Sequence, residues 1–369
     1  MRRRASGIER ITAELFSDQA LAPLHVKGTG ASHRRLSLVL HQMVGNPLLA
    51  SVRRHSVWVF PGYPPSPLFA LMRERSVLYV HDLFLMTRKD DLNRAAKLYM
   101  AYPFRLAVRT LRYFLVNSLT TGRQLSASVS DGATILPYRP RVTNLFRLDH
   151  RPRDGMPVDR PVIVGAMGTI EPRKNFPAAA RICQALAERL SRPVELHIIG
   201  RRGWGPDYDI LGGSPGVRLL GFLPDEAIHP MIEQFDLFLC TSHDEGLGLP
   251  LLEMQYAGLP ILAPDADVFR EVLGESGNFI DPGDAAASAA AIAGWVRTDG
   301  WFGRAAELAR ANLKRWNAQA AEDRAEVVAL LRRLASPHAA TRLEAPIYSR
   351  RSIGRSSARP REKLHRSGS

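Results

Sequence analysis

From Val162 to about residue 298, short apolar runs that read as strands alternate cleanly with longer helical stretches. That alternation is the signature of a parallel sheet covered by helices on both faces. A fainter version precedes it. Val57-Trp58-Val59-Phe60 and Val77-Leu78-Tyr79-Val80 are short, branched and apolar, as buried parallel strands are. Phe114-Leu115-Val116-Asn117-Ser118 reads as a further strand with a helix after it, and Ala133-Thr134-Ile135-Leu136 as the last of this half. Residues 90–113 read as helix, interrupted near Pro103, and residues 301–334 as helix rich in Ala, Leu and Arg. With 369 residues the chain has room for two domains, each with its own core.

Residues 139–160 hold several Arg, Pro and Asp with little periodicity, as interdomain linkers do. The expected division is a first α/β domain over 1–145, a linker over 146–160, a second α/β domain over 161–335 and a tail over 336–369. The tail is rich in Arg and Ser and poor in apolar residues, which predicts disorder. Ser6-Gly7-Ile8-Glu9 is a capping-box pattern, followed by Ile8, Ile11, Leu15 and Phe16 at roughly helical spacing. The chain therefore opens almost directly into a helix, whereas a doubly wound domain normally starts with a strand. Either the true start lies upstream or the first domain lacks its first strand; the former is favoured.

Charge separates the regions. Residues 1–150 carry 22 Lys/Arg against 9 Asp/Glu, a net +13; residues 151–335 carry 20 against 25, a net −5; the tail carries 8 against 2, a net +6. A basic first half beside an acidic second half suits docking of the first half on an anionic partner, and a membrane leaflet is the preferred one. The two cysteines, Cys183 and Cys240, offer no disulfide framework, which favours a reducing compartment. No apolar run approaches the roughly 18–20 residues of a membrane span, and the N-terminus has no signal-peptide core. The expected location is the cytoplasm, peripheral at the inner face of the cell membrane.

The chemistry concentrates in Asp244-Glu245-Gly246-Leu247-Gly248-Leu249-Pro250-Leu251-Leu252-Glu253. The preceding Asp236-Leu237-Phe238-Leu239-Cys240 reads as a buried strand, and Pro250 suits the first helical position. Strand, glycine-rich turn and helix place one carboxylate in the turn and the other on the first or second helical turn. Two glycines let a ligand approach the backbone, and the helix start favours anions. A phosphate-bearing ligand with hydroxyls for two carboxylates fits, which describes a nucleotide-sugar. Glu245 would also suit a helix cap, and Glu253 a pairing with a surface arginine.

Glu-x7-Glu in this setting resembles the retaining glycosyltransferases of family 4, which have the GT-B fold: two Rossmann-like doubly wound α/β domains facing a cleft. Gly168-Thr169-Ile170-Glu171-Pro172-Arg173-Lys174-Asn175 looks like that family's phosphate-binding stretch. Leu196-His197-Ile198-Ile199-Gly200-Arg201-Arg202-Gly203-Trp204, Gly221-Phe222-Leu223-Pro224-Asp225-Glu226, Glu271-Val272-Leu273-Gly274 and Asp281-Pro282-Gly283-Asp284 agree in order and spacing. The resemblance is strong over residues 160–335 and weak over 6–145.

It implies that Lys174, otherwise readable as a solvated loop lysine, stabilises the departing diphosphate, and that Glu245 contacts the donor sugar. Glu253 would hold the nucleotide ribose, while Gly246, Leu247, Gly248 and Leu249 line the donor site. Thr169 stands where many members have an arginine, so a neutral hydroxyl replaces a charged fork, and Arg173 or Arg201 would compensate. His81, after the strand ending at Val80, would lie against donor sugar and acceptor, and Gly7 would match a glycine-rich loop near the diphosphate. Asp82 also reads as a helix cap, and Ser118 reads as a cap more than as a catalytic group. The partners implied are a nucleotide-sugar donor, with mannose from GDP-mannose as the guess, and a polysaccharide or lipid-linked oligosaccharide acceptor. No cofactor and no metal are expected, since Asp265-Ala266-Asp267 falls where the family has a surface turn.

Gly165-Ala166-Met167-Gly168 is not a dinucleotide fingerprint, which argues against a nicotinamide oxidoreductase. Sequence-specific nucleic-acid binding is disfavoured because no reading module is present and the motif-bearing domain is acidic. Within the resemblance, a nucleotide-sugar epimerase and an inactive truncated paralogue, binding sugar or nucleic acid through its basic tail, remain as alternatives. Closure of the two domains over the donor is expected to exclude water.

Overall fold

The computed structural model describes residues 7–29, 39–87, 97–151 and 155–335. Ser6, the residues before it and the Arg-rich tail lie outside the described residues. Two parallel sheets organise the rest. The first has four strands in the order β1 (Trp58–Phe60), β2 (Ser76–Val80), β3 (Tyr113–Val116) and β4 (Thr134–Pro137). Its side chains divide between faces with period two, as a strand requires. Leu78, Val80, Phe114, Val116 and Ile135 share one core, whereas Val77, Tyr79, Leu115, Leu136 and Tyr138 belong to another. All five residues of β2 are therefore buried.

The described chain opens with the helix Gly7–Leu15, whose Ile11 and Leu15 pack on the second of those faces, as the apolar spacing anticipated. Pro103 sits in the first turn of the helix Tyr102–Thr110, directly after the wide turn Lys97–Ala101, so the expected interruption is a change of helix type.

The second sheet has six parallel strands in the order β10–β9–β8–β5–β6–β7. They are β5 (Val162–Met167), β6 (Val194–Ile199), β7 (Val217–Gly221), β8 (Leu237–Leu239), β9 (Ile261–Pro264) and β10 (Gly277–Ile280). Chain order reverses at β5, which has β6 on one side and β8 on the other. In open α/β sheets ligands settle beyond the carboxyl ends of the strands at such a switch point. The loops leaving β5 and β8 are the ones carrying Lys174 and Glu245.

Two stretches join the domains side by side. Residues 138–148 contain no helix or strand, as expected of a linker, yet they are packed like core. Val142, Phe146 and Leu148 are buried in the second-domain core, so the segment is a built-in strap and not a loose tether. The helix Trp301–Ala335 starts on the second domain through Phe302 and ends on the first sheet through Val327, Val328, Leu330 and Leu331. At 1.5 Å per residue, its 35 residues span about 50 Å, enough to reach both sheets. Arg139 and Asp323, each under a tenth exposed, form a forked ion pair between strap and helix, with Nε–Oδ2 at 2.7 Å. Trp316 Nε1 donates to Pro140 O at 2.9 Å beside it.

Candidate functional site

After β5 the chain makes a short 3-10 turn, Pro172–Lys174, and Asn175 takes the left-handed conformation before the helix Phe176–Leu190. This turn aims two cations at one acid. Lys174 Nζ donates to Glu245 Oε1, and Arg173 Nη1 donates to Glu245 Oε2 at 2.9 Å. Ser242 Oγ adds a bond to Oε1 at 2.8 Å. Lys174 also lies alongside Gly168, where a Cβ would come within 3.1 Å of its Cε. Thr241 Oγ1 ties the two loops together by donating to Asn175 O at 2.9 Å.

Burial favours a neutral Glu245, but Lys174, Arg173 and Ser242 outweigh it and hold the carboxyl below the ordinary carboxylate range. Burial likewise opposes the charge on Arg173, yet Glu245 and Glu171 restore it and raise its affinity for the proton. The result is a half-enclosed cluster in which Glu245 and Arg173 favour their charged forms. The space it encloses is about 20 Å³, room for little more than one water.

Gly248 opens the helix Leu249–Met254 in the left-handed conformation, φ +78°, with Pro250 in its first turn. Glu253 sits in that helix, 6% exposed, and receives Arg10 from the opening helix of the first domain. The surface-pairing alternative for Glu253 thus captures its contact with an arginine, although the carboxylate is buried and the arginine comes from the other domain. The side chain of Leu247 is turned into the second-domain core. Any ligand contact at Leu247 therefore runs through its backbone. Leu249 packs between that core and the first sheet's.

At Gly246 the two domains touch closely. A Cβ there would lie 2.1 Å from His81 O, so no larger residue fits without moving the loop. Ser118 caps the helix Leu119–Ser126 by accepting from Thr121 N, as its sequence context suggests, and its hydroxyl lies 3.1 Å from Gly246 O. Asn117 Nδ2 donates to His81 O at 2.8 Å, while its buried Oδ1 has no partner among the described residues. His81 keeps its ring on Pro61 O at 2.7 Å, and burial lowers its proton affinity against that bond. Asp82 accepts from Phe84 N at 3.1 Å, the cap its sequence context also allowed. Burial raises its pKa despite the nearby Arg173, and Asp244 and Glu245 add to the rise. A cleft of about 500 Å³ lies here between Asp82, Met86 and Thr121 on one side and Asp244, Glu245 and Gly246 on the other.

Lys174, Arg173, Glu245 and Gly246 therefore converge, with His81 across the cleft. Thr169 lies beside them with its methyl against Gly203. Arg201 is exposed and forms no ion pair among the described residues, although its carbonyl receives Ile170 N at 3.0 Å. Gly7 is the first residue of the helix carrying Arg10, one turn before it. Asp265 pairs with Arg270 at 2.7 Å and Asp267 with Arg123 at 3.4 Å. Sequence reasoning passed over Arg10 and Ser242. Ser242 was within reach, three residues before Glu245 in one loop; Arg10 had only its place one turn after Gly7.

Residues 149–315 match the family of glycosyl transferases group 1. That match spans most of the second domain and just under half of the chain, so this domain is similar to group 1 glycosyltransferases. Over 157 residues the chain is 32% identical to the O-antigen chain mannosyltransferase B of Escherichia coli, covering 41% of each chain. Over 171 residues it is 32% identical to the phosphatidyl-myo-inositol mannosyltransferase of Mycolicibacterium smegmatis, covering 43% of this chain and 42% of that one. The matched region is thus about two fifths of each of those relatives. Among solved structures, Anabaena HepE in complex with UDP and glucose superposes with a TM-score of 0.61 at 18% identity, over 88% of this chain and 97% of that one. WaaG, a glycosyltransferase involved in lipopolysaccharide biosynthesis, gives 0.60 at 14% identity, over 89% and 97%. These two likenesses extend across both sheets, and the fold is GT-B.

Proposed function

We propose that this chain transfers a sugar, with retention at the anomeric carbon, from a nucleotide-sugar to a polysaccharide or lipid-linked oligosaccharide. The observation that carries the proposal is the meeting of Lys174, Arg173 and Glu245 at the switch point of the second sheet. Negative charge grows on the diphosphate as the glycosidic bond to it breaks, and two preset cations stabilise that charge more than they stabilise the ground state. With those cations supplied by the chain, no metal is required for leaving-group stabilisation. Glu245 accepts from donor-sugar hydroxyls, Glu253 from the ribose, and the backbone of Gly246–Leu249 lies along the diphosphate. His81, across the cleft, contacts the sugar and the incoming acceptor.

The curated relatives named as mannosyltransferases support mannose as the transferred sugar. The UDP held by HepE supports a nucleoside diphosphate as the general ligand. No helix among the described residues is long and apolar enough to cross a membrane. The net charge of +13 over residues 1–150 suits the anionic inner leaflet as the place where a lipid-linked acceptor is met. Thermal denaturation across GDP-, UDP- and dTDP-sugars tests the donor reading, because a ligand that binds only the folded state raises Tm. A rise confined to one nucleotide class and abolished in Glu253→Ala is expected. No rise with any nucleotide-sugar contradicts the reading.

A further inference from the structure

We propose that the face of the first domain bearing Leu40, Val44, Leu48, Val52, Leu68 and Leu71 docks on an anionic lipid leaflet. The first four lie four residues apart in one continuous helical run over 39–52 and are 57%, 49%, 63% and 80% exposed. Four-residue spacing puts them on one face, and the wider turn His41–Gly45 offsets the drift that such spacing accumulates in a regular helix. The opposite side of the run is already used: Pro47 and Ala50 are buried, and Leu49 packs on the core beneath the sheet. The stripe therefore points away from its own fold.

Leu68 and Leu71, 50% and 86% exposed, come from the turn Pro67–Arg75 alongside. A shallow groove of about 620 Å³ joins the two elements. Isolated exposed leucines need no explanation, but a continuous apolar face of this kind marks an interaction site.

Charge selects the occupant. Residues 39–75 contain four arginines, no lysine, no aspartate and one glutamate. That glutamate, Glu74, lines the groove with its side chain 59% exposed, and its charge is met by Arg112 at 3.0 Å and Arg73 at 3.4 Å. Arg54 and Arg73 are exposed at the margin of the apolar face. An apolar stripe with an arginine rim is the composition of segments that lie in the headgroup layer. A second copy of this chain would instead bring an identical basic rim against the first.

The face also lies close to the cleft. Gln42 Nε2 donates to Pro64 O at 2.8 Å and Ser66 Oγ to Met43 O at 2.9 Å, which fixes the stripe to the loop after β1. The same loop holds His81 through Pro61 O. A lipid-anchored acceptor in the leaflet would thus enter beside His81; this part of the inference rests on the acceptor reading above.

Flotation of the full chain with phosphatidylcholine vesicles, with and without phosphatidylglycerol, tests the surface. Binding to the anionic vesicles is expected, weakened by salt. Leu48→Ser/Leu71→Ser should lower the partition constant roughly ten-fold or more, since each buried leucine side chain contributes that order. Arg54→Glu/Arg73→Glu should lower it several-fold, with the nucleotide-induced rise in Tm unchanged in both variants. The basic tail is present throughout, so unchanged binding by both variants assigns adsorption elsewhere and overturns the proposal. Absence of vesicle binding by the unaltered chain also overturns it, as does light scattering that shows a dimer dissolved by the leucine substitutions. Nucleotide binding is read separately, so failure of the donor reading and failure of this surface are distinguishable.

Discussion

Arg10, on the opening helix of the first domain, is ion-paired with Glu253 of the helix Leu249–Met254 in the second. The acid assigned to the nucleotide ribose is thus engaged by a cation 243 positions earlier in the chain. A nucleotide that takes Glu253 must displace Arg10, and part of its binding free energy is spent on that exchange. Arg10→Ala is therefore expected to tighten nucleoside-diphosphate binding about two- to ten-fold. The same change should destabilise the fold by about 1–2 kcal/mol, because it removes a cation of the other domain from a buried carboxylate that already feels the charge of Glu14. Calorimetric titration and thermal unfolding measure the two effects. Weaker binding would instead place Arg10 on the ligand.

Removing Lys174 tests the charge account of the reaction. Lys174→Ala is expected to lower kcat about 10²-fold with KM changed by less than about three-fold, the pattern of an interaction that matters most in the transition state. Steady-state kinetics of sugar transfer, or of slow donor hydrolysis, supply the numbers. An unchanged kcat would contradict the role.

The Glu245 cluster should leave a signature in stability against pH. Its carboxyl is held below the ordinary value near 4.5, so its stabilisation is fully present above that value and is lost as pH falls through the lower folded-state pKa. Glu245→Gln takes the carboxylate from Lys174, leaves Arg173 with the carboxylate of Glu171 alone, and is expected to cost about 1–3 kcal/mol at pH 7. The gap between variant and parent should narrow steadily below pH 4.5 in denaturant titrations. A gap independent of pH would show that the carboxylate is not held charged by Lys174 and Arg173.

Gly246 tests the contact between domains. In Gly246→Ala the new methyl would meet the His81 carbonyl and disturb the bond between Ser118 and Gly246 O. Overpacking at such a point costs about 1–3 kcal/mol, or the loop moves and the cleft widens. A lower Tm or a larger radius of gyration in solution scattering is expected. Neither change would mean that the domains do not meet here.

The contacts at the cleft are hydrogen bonds and ion pairs. Glu271 Oε1 and Oε2 accept from the backbone N–H groups of Leu119 and Thr120 at 2.6 and 2.8 Å, so a second-domain acid caps a first-domain helix. Apolar contact between the domains comes from Leu249, in the helix that carries Glu253, and from the long helix where it meets the first sheet.

Much of this was legible in the sequence, and the remainder failed for one physical reason. Strand and turn signals are local, so β1 to β4, the Ser118 cap and the loop bearing Lys174 were readable from neighbouring residues. Glu271 was visible within Glu-Val-Leu-Gly, but its role as a cap on residues 119–120 exists only once two domains are placed. The same holds for Arg10 and Glu253. The strap at 138–148 shows the opposite error, since absent periodicity reports absent regular structure and says nothing about burial. Leu247 was expected to line the donor site from its position in the motif, yet its side chain faces the core while its backbone stays at the loop. The stripe from Leu40 to Val52 has visible spacing, but only the fold reveals that its other side is already buried.

The central claim is that Lys174, Glu245 and Glu253 serve one nucleotide-sugar pocket. Equilibrium titration of GDP, and then UDP, into the full chain and into Glu253→Ala and Lys174→Ala tests it most directly. The account expects saturable binding of at least one nucleotide to the parent, weakened about ten-fold or more by Glu253→Ala and measurably by Lys174→Ala. Equal affinity in all three proteins would contradict it.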